Sequence, residues 1–215
     1  MTVYLLDDEP VFPHPSLADD DGLLAVGGDL STERLLAAYS NGIFPWFNPG
    51  ENIFWWAPDP RFILYPEKFK ISKSFRQFLN KHDYDIGFNQ QFDKVIKQCR
   101  RIKRCDQQGT WITPEMEKAY IALHKKGYSI SVEVCNKGRL VAGLYGILTS
   151  HVFCGESMFH TQSNTGKLAL YALVEFCKKS GVEIIDVQMH TPFFEEIGAE
   201  FITLSEYLHI LHGQE

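Results

Sequence analysis

The sequence predicts an α+β fold, and the order of elements in its second half is the main reason. Apolar and polar residues there indicate three strands in succession, then an amphipathic helix and a further strand. The predicted strands are Ser129 to Val134, Arg139 to Leu148, Val152 to Gly155 and, after the helix, Glu183 to Gln188. The first two are joined by an Asn136-Lys137-Gly138 turn, and the helix has apolar residues from Leu168 to Cys177 and stops around Gly181. Several successive strands followed by a helix and a further strand are typical of α+β proteins.

This element order is that of the acetyltransferase-like (GNAT-like) fold, which we expect for residues 62–215. Residues 1–61 are expected to form a small N-terminal α/β module, because glycine turns and prolines divide this stretch into short elements. One helix of this module is predicted to follow Ser31 as N-cap, run toward Tyr39 and end at Asn41-Gly42. The change between the two parts lies near Pro58-Asp59-Pro60-Arg61.

The three successive strands are predicted to form a meander, and three further helices are predicted between the N-terminal module and this meander. Ser72 can cap a basic helix that reaches about Asn80. Thr113-Pro114 supplies the N-cap and first residue of another helix, which ends near Gly127. Between these two, helical spacing is shown by Phe92, Val95, Ile96 and Cys99.

Composition argues against several classes of protein. The chain has 215 residues, 45% of them hydrophobic, and no run approaches the roughly 18 apolar residues of a membrane span. Its start lacks the zones of a signal peptide, so a cytoplasmic location is expected. The 5 cysteines include no Cys-x-x-Cys and the 8 histidines no His-Glu-x-x-His. These patterns indicate reduced thiols and predict neither a metal nor a cofactor.

Positive charge is concentrated in one stretch of an acidic chain. The net charge is −6, yet Lys68 to Gln108 contains 11 Lys and Arg against 4 Asp, which gives 11 − 4 = +7. Such asymmetry is consistent with a basic face for a phosphate backbone, and equally with two solvated helix faces.

The predicted strand that ends at Gln188 carries two polar groups suited to chemistry. A period of two places Asp186 and Gln188 on one face and Ile185 and Val187 on the other. A carboxylate and an amide are then expected to meet over one pocket. The alternative is an Asp-x-Gln that only faces solvent.

Five separated motifs occur along the chain. They are Asp21-Gly22-Leu23-Leu24-Ala25-Val26-Gly27-Gly28-Asp29-Leu30, Gly42-Ile43-Phe44-Pro45-Trp46, Trp55-Trp56-Ala57-Pro58-Asp59-Pro60-Arg61, Gly109-Thr110-Trp111-Ile112 and Gly155-Glu156-Ser157-Met158-Phe159. Together and in this order they resemble the signatures of the leucyl/phenylalanyl-tRNA–protein transferase family. The resemblance implies an enzyme that moves leucine or phenylalanine, with methionine as a further candidate, from aminoacyl-tRNA to the N-terminal Arg or Lys of a protein. The product would carry a degradation signal, an N-degron.

The resemblance also implies roles for particular residues. The terminal adenosine would contact Tyr39, Trp46, Trp111 and, as a weaker candidate, Tyr120. The tRNA phosphates would contact Lys73, Arg76 and Lys81. The amino-acid pocket would be lined by Leu144, Met158, Leu170, Leu173, Cys177 and Ile185. Phenylalanine is usual in the family at two of these positions, Leu173 and Cys177, and Phe193 and Glu196 also depart from its pattern. Burial, or a solvated face for the basic residues, is the alternative in each case.

The predicted catalytic groups are Asp186, Gln188 and Glu156. The ester of an aminoacyl-tRNA is already activated, but an α-amino group with a pKa of about 7.7 to 8.0 is mostly protonated at neutral pH. Asp186 is therefore predicted to accept or relay its proton, while Gln188 holds the amine or the oxyanion. Glu156 could bind the acceptor's basic side chain or tie the site together.

Two other functions stay open at this point. The stretch Gln162-Ser163-Asn164-Thr165-Gly166-Lys167 does not match the Gln/Arg-x-x-Gly-x-Gly/Ala loop that binds the pyrophosphate of coenzyme A. A CoA-dependent N-acyltransferase is weakened by this mismatch. The second alternative is a protein that binds tRNA or basic N-termini without chemistry.

Overall fold

The computed structural model describes residues 3–81, 83–102 and 110–213, and helices and strands both contribute to the fold. The strands are β1 Tyr4–Leu6, β2 Leu23–Gly27, β3 Phe44–Pro45, β4 Phe54–Trp56, β5 Arg61–Leu64, β6 Asp85–Phe88, β7 Ser129–Asn136, β8 Arg139–Leu148, β9 Val152–His160, β10 Ile184–Gln188 and β11 Glu200–Ile202. The helices are α1 Thr32–Tyr39, α2 Lys73–Lys81, α3 Phe92–Arg101, α4 Pro114–Lys125, α5 Thr165–Ser180, α6 Pro192–Glu196 and α7 Leu204–His212. The predicted α+β class is confirmed. Cys105, Gly109 and the basic residues Lys103 and Arg104 lie outside the described residues.

Four short strands form a small sheet in the order β1-β2-β4-β3. β1 is parallel to β2, and β4 is antiparallel to both of its neighbours. Trp55 on β4 is fully buried, and its indole N–H donates to the carbonyl oxygen of Gly27 over 2.9 Å. The ring supplies apolar area to a small module, and the hydrogen bond satisfies its one polar group.

Seven strands form a large sheet in the order β11-β5-β10-β9-β8-β7-β6. β7, β8 and β9 are the predicted meander, and α5 crosses over to place β10 parallel to β9. β9 continues to His160 instead of ending near Gly155. The polar residues Glu156 and Ser157 interrupt the apolar pattern there, yet Ser157 still pairs with Tyr145 on β8.

The predicted helix starts are in place. The hydroxyl groups of Ser31, Ser72 and Thr113 accept backbone N–H bonds in the first turns of α1, α2 and α4, over 3.3, 3.2 and 3.2 Å. Helices α6 and α7 were not predicted from the sequence. For α7 a signal was present, because Thr203 and Glu206 form a capping box at its start. None of the described helices combines the length and apolar character needed to cross a membrane.

The large sheet separates two hydrophobic clusters. α5 packs on one face of the meander, and α3 and α4 pack on the other. The cluster around α3 and α4 also contains Trp55 of the small sheet and Tyr207 of α7. Arg61 is the first residue of β5, so the first strand of the large sheet in chain order begins at the predicted boundary between the two parts of the sequence. The division into units at residues 61 and 62 stays a prediction.

Candidate functional site

Two cavities lie beside the central strands β9 and β10. The larger has a volume of about 820 Å³ and the smaller about 220 Å³. Glu156, Val187 and Gln188 line both cavities. A substrate with two chemically different parts can therefore place the bond between those parts beside Glu156 and Gln188.

The larger cavity is mainly apolar. Of the six side chains predicted for the amino-acid pocket, five line it, namely Leu144, Met158, Leu170, Leu173 and Ile185. Cys177 does not line it, because the thiol lies one helical turn beyond Leu173, fully buried in the core. Burial raises the pKa of this thiol to about 12. Lys167 and two rings of α6, Phe193 and Phe194, also line the cavity.

The smaller cavity is lined by two tryptophans, Trp46 and Trp111. The indole N–H of Trp56 donates to the backbone carbonyl of Trp46 over 2.8 Å, and the two ring centroids lie 5.8 Å apart. Met189 and Thr191 also line this cavity. Indole rings beside a cavity are suited to stacking on a nucleobase, so the assignment of both tryptophans to the adenosine stays a prediction with compatible geometry.

A β-bulge in β9 changes the direction of Glu156. Gly155 pairs with Gly146 and Ser157 pairs with Tyr145, so Glu156 is the extra residue between two paired positions. A Cβ at position 146 would lie 2.2 Å from a backbone carbonyl oxygen of the facing strand, which only glycine avoids. Bulges of this kind re-aim a side chain out of the regular alternation.

A second bulge lies in the neighbouring strand β10. Asp186 pairs with Ile63 and Gln188 pairs with Phe62, so Val187 is the extra residue. Gln188 has a φ of 60°, in the left-handed region that residues other than glycine rarely adopt. The period of two therefore ends at Asp186, and the expectation that Asp186 and Gln188 meet over one pocket is wrong. Gln188 lines both cavities, whereas Asp186 lines neither.

The Asp186 carboxylate is fully buried, and its acceptor positions are occupied. Arg61 donates from Nε to Oδ1 over 3.0 Å and from Nη2 to Oδ2 over 2.9 Å. The Tyr207 hydroxyl donates to Oδ2 over 3.0 Å, and the backbone N–H of Gln188 donates to Oδ1 over 2.9 Å. A carboxylate accepts about four bonds, so no position is left for the proton of an amine. Asp186 holds the bulge at Gln188 through the contact with the Gln188 N–H, and its predicted catalytic role stays a prediction.

Arg61 is a residue of this site that the sequence analysis missed. Its guanidinium carbon lies 4.7 Å from the ring centroids of both Phe44 and Tyr207, and the side chain is buried. Arg61 thus joins the small sheet, the large sheet and α7. A signal was available, because Arg61 and Asp186 are lone charges at or within short apolar strands, and buried charges need partners.

Glu156 contacts two tyrosines that were assigned to the adenosine. Tyr39 and Tyr120 are 2% and 0% exposed, so neither ring offers a free face for stacking in this structure. Their hydroxyl groups lie 2.6 and 2.8 Å from the two Glu156 carboxylate oxygens and 2.5 Å from each other. Burial raises the pKa of Glu156 to about 7, although the tyrosine hydrogen bonds oppose this change.

The three basic residues predicted to contact tRNA lie on α2. Lys73, Arg76 and Lys81 are exposed, while Phe75 on the opposite face is buried. The Nζ atom of Lys167, which lines the larger cavity, lies 5.9 Å from the Phe75 ring centroid. The basic face therefore belongs to a helix that packs next to the cavity, which is compatible with the predicted role and with a solvated face.

Comparison with known proteins gives one consistent result. A family profile described as leucyl/phenylalanyl-tRNA protein transferase matches residues 63–212, and the profile of its N-terminal domain matches residues 28–59. The chain is 48% identical over 211 residues to a leucyl/phenylalanyl-tRNA–protein transferase of Christiangramia forsetii, covering 97% of this chain and 100% of that one. A relative of the same name from Flavobacterium johnsoniae is 49% identical over 212 residues, covering 99% of this chain and 100% of the relative.

Among solved structures, the chain is similar to a GCN5-related N-acetyltransferase from Kribbella flavida, with a TM-score of 0.43 and 9% identity over 78% of this chain and 60% of that one. The family assignment rests on the sequence matches, which extend over nearly the whole length of this chain and of the two relatives. The chain belongs to the leucyl/phenylalanyl-tRNA–protein transferase family and is an aminoacyltransferase.

Proposed function

We propose that the protein transfers leucine or phenylalanine, with methionine as a third candidate, from aminoacyl-tRNA to the N-terminal Arg or Lys of acceptor proteins. The transferred residue would act as an N-degron that directs the acceptor to degradation. One observation carries the proposal: an apolar cavity and a tryptophan-lined cavity meet at Glu156 and Gln188. An aminoacylated adenosine has the same two parts, with the ester bond between them.

The larger cavity supports an apolar donor residue. Its volume of about 820 Å³ exceeds what one amino-acid side chain needs, so part of it remains for the acceptor. Leu173 and Met158 offer flexible apolar walls that accommodate leucine, methionine or phenylalanine. Discrimination among the three is expected to be modest, since one methylene of fit contributes only about 1 to 3 kcal/mol.

The acceptor end of the tRNA is proposed to lie across the smaller cavity and α2. Trp46 and Trp111 would stack on the terminal adenosine. Lys73, Arg76 and Lys81 are exposed and would contact phosphates, which supplies affinity without reading sequence. The CoA-dependent alternative receives no comparable support from the loop at the start of α5.

Transfer would proceed by direct attack of the acceptor amine on the ester carbonyl carbon. The ester is already activated, so no covalent enzyme intermediate is needed, and positioning of the two substrates supplies much of the rate. The Gln188 amide lies at the junction of the cavities, where its oxygen can hold the amine or its NH2 group can stabilise the oxyanion. Glu196 is exposed beside Phe193 and Phe194 and would attract a cationic N-terminal side chain.

The proposal is tested by offering Leu-tRNA, Phe-tRNA and Met-tRNA in turn with peptides that begin with Arg, Lys, Glu or Ala. Peptide mass reports the transferred residue. We expect transfer to Arg and Lys peptides, with the apolar donors ranked by rate. Transfer to Glu peptides would contradict the acceptor assignment, and no transfer by protein that binds tRNA would favour the non-catalytic alternative.

Two variants separate the parts of this proposal. Glutamine at positions 73, 76 and 81 together is expected to weaken tRNA binding and flatten its salt dependence, since each lost phosphate contact lowers the slope by about 1. Glu196→Gln is expected to raise the KM for an Arg peptide without changing tRNA binding. Acetyl-CoA serves as the control ligand, and a rise in Tm with acetyl-CoA would revive the CoA-dependent alternative.

A further inference from the structure

The side chains of Glu156, Tyr39 and Tyr120 form a closed ring of oxygen atoms beside the junction of the two cavities. The three oxygen–oxygen distances are 2.6 Å from Tyr39 to Oε1, 2.8 Å from Tyr120 to Oε2 and 2.5 Å between the two hydroxyl groups. All three lie within hydrogen-bond range for O–H donors. Each contact therefore needs one proton.

Counting protons identifies the state of Glu156 that completes the ring. With an ionised carboxylate, the two hydroxyl protons serve two contacts, and the third contact has none. With a proton on Glu156, three protons serve three contacts. Tyr39 and Tyr120 are buried, so solvent does not reach the ring from their side. One proton on Glu156 therefore completes the ring, and burial of the site disfavours the charged carboxylate.

We infer that Glu156 is a catalytic residue that takes the proton released by the attacking amine and returns it to the departing ribose oxygen, with Tyr39 and Tyr120 as positioning residues. The inference rests on the proposed function and adds the path of the proton to it. Glu156 lines both cavities, and among the described residues that do so it is the one carboxylate.

The reaction balances with this single carrier. A bond forms between the amine nitrogen and the carbonyl carbon, and the bond from that carbon to the ribose oxygen breaks. The nitrogen loses one proton and the oxygen gains one. An ionised Glu156 accepts the proton, the resulting acid donates it, and the enzyme returns to its starting state without oxidation or reduction.

The surroundings of Glu156 support a carrier that works near neutral pH. Burial raises its pKa to about 7, with the Asp186 charge acting in the same direction and Tyr39, Tyr120 and Arg61 acting against it. A carrier transfers protons most efficiently when its pKa lies near the working pH. Burial and the Glu156 charge raise the pKa values of Tyr39 and Tyr120 well above their ordinary value, so both tyrosines stay protonated.

The test measures single-turnover transfer of leucine or phenylalanine to an Arg peptide between about pH 5 and pH 9. The variants are Glu156→Gln, Tyr39→Phe and Tyr120→Phe, with Tyr65→Phe as a control hydroxyl deletion outside both cavities. The amine of the peptide titrates equally in every sample. Any shift between variants therefore belongs to the enzyme.

We expect Glu156→Gln to lower the rate at neutral pH by about 10² to 10⁴ and to leave only the titration of the peptide amine. Tyr39→Phe and Tyr120→Phe are expected to move the enzyme's titration to higher pH, because each hydroxyl holds the pKa of Glu156 down. Tyr65→Phe should match the wild type. Wild-type rate in Glu156→Gln, or unshifted titration in both tyrosine variants, would overturn the inference.

A second measurement does not depend on transfer. Infrared titration of the wild type minus Glu156→Gln should show a protonated carboxyl band that disappears around neutral pH. A band lost already near the ordinary Glu pKa of about 4.3 would overturn the inference even if transfer occurs. Wild-type protein that transfers nothing refutes the proposed function instead, so the two failures are distinguishable.

Discussion

Two carboxyl groups on neighbouring strands have opposite surroundings in this protein. Asp186 on β10 lies against an arginine, and four donors occupy its oxygens. Glu156 on β9 faces two cavities and contacts two tyrosine hydroxyl groups. The first carboxylate is enclosed by hydrogen-bond donors, while burial raises the pKa of the second to about 7. Different environments of two acids are typical of different roles, and we propose support of Gln188 for the first and proton transfer for the second.

Removal of the Arg61 guanidinium tests how strongly Asp186 depends on its partner. Arg61→Met leaves a buried, unpaired carboxylate, and we expect a loss of about 3 to 5 kcal/mol in the free energy of unfolding. Urea denaturation measures it, with the exposed Arg76→Met as control. Adding Asp186→Asn to Arg61→Met should restore part of the stability, because the unpaired charge is removed. A loss below about 1 kcal/mol would show that the pair is not buried as described.

Removal of the Asp186 charge tests its supporting role. Asp186→Asn weakens the contact that holds the backbone of Gln188, and misplacement of this residue is expected to slow single-turnover transfer about 100-fold. The Asp186 charge contributes to the raised pKa of Glu156, so the enzyme's titration should move to lower pH. This direction is opposite to that expected for Tyr39→Phe and Tyr120→Phe. A pH profile that loses its enzyme titration would instead make Asp186 the proton carrier.

The pH dependence of stability tests the raised pKa of Glu156. Folding raises the pKa of Glu156 from 4.5 to about 7, so the native state holds the proton more tightly than the unfolded chain. The contribution of this proton is complete below the unfolded value and is lost as pH rises through about 7. Glu156→Gln lacks this loss, so its Tm relative to the wild type should rise over this window.

The expected size is roughly 1 to 2 kcal/mol, because solvent at the cavities screens part of the interaction. This corresponds to about 2 to 8 °C in Tm for a chain of this size. Matching Tm differences between the two proteins at about pH 5 and pH 8 would show that the Glu156 carboxyl group titrates normally.

Local signals in the sequence were sufficient for most of the fold. Period and capping residues predict α1 to α5, and turn residues predict the meander, because each of these features depends on neighbours within a few positions. The apolar pocket followed from the resemblance, with Cys177 misplaced. Local spacing places Cys177 on the same helical face as Leu173, but tertiary packing determines how deeply Cys177 is buried in the core.

The surroundings of the two carboxyl groups could not be predicted from local signals, because their partners are distant in the sequence. Asp186 meets Arg61 across 125 positions, and Glu156 meets Tyr39 across 117. Both bulges arise from pairing between strands, so a rule of strict alternation placed Asp186 at the pocket together with Gln188, although Asp186 lines neither cavity. Lone charges in apolar strands are the signal that would have paired Arg61 with Asp186.

The N-cap of α4, the helix that carries Tyr120, is expected to contribute modestly to stability. Thr113 caps α4 by accepting the N–H of Met116 over 3.2 Å, and its loss in Thr113→Ala is expected to cost about 1 kcal/mol in the free energy of unfolding. Ser31→Ala at the start of α1, the helix of Tyr39, is the matched variant. Ser31 lies at the opposite end of α1 from Tyr39, and Thr113 lies about two turns before Tyr120. The pH profile of transfer should therefore stay unchanged while stability falls. A shifted profile in either variant would show that Glu156 depends on helix stability as a whole and not on the two hydroxyl contacts.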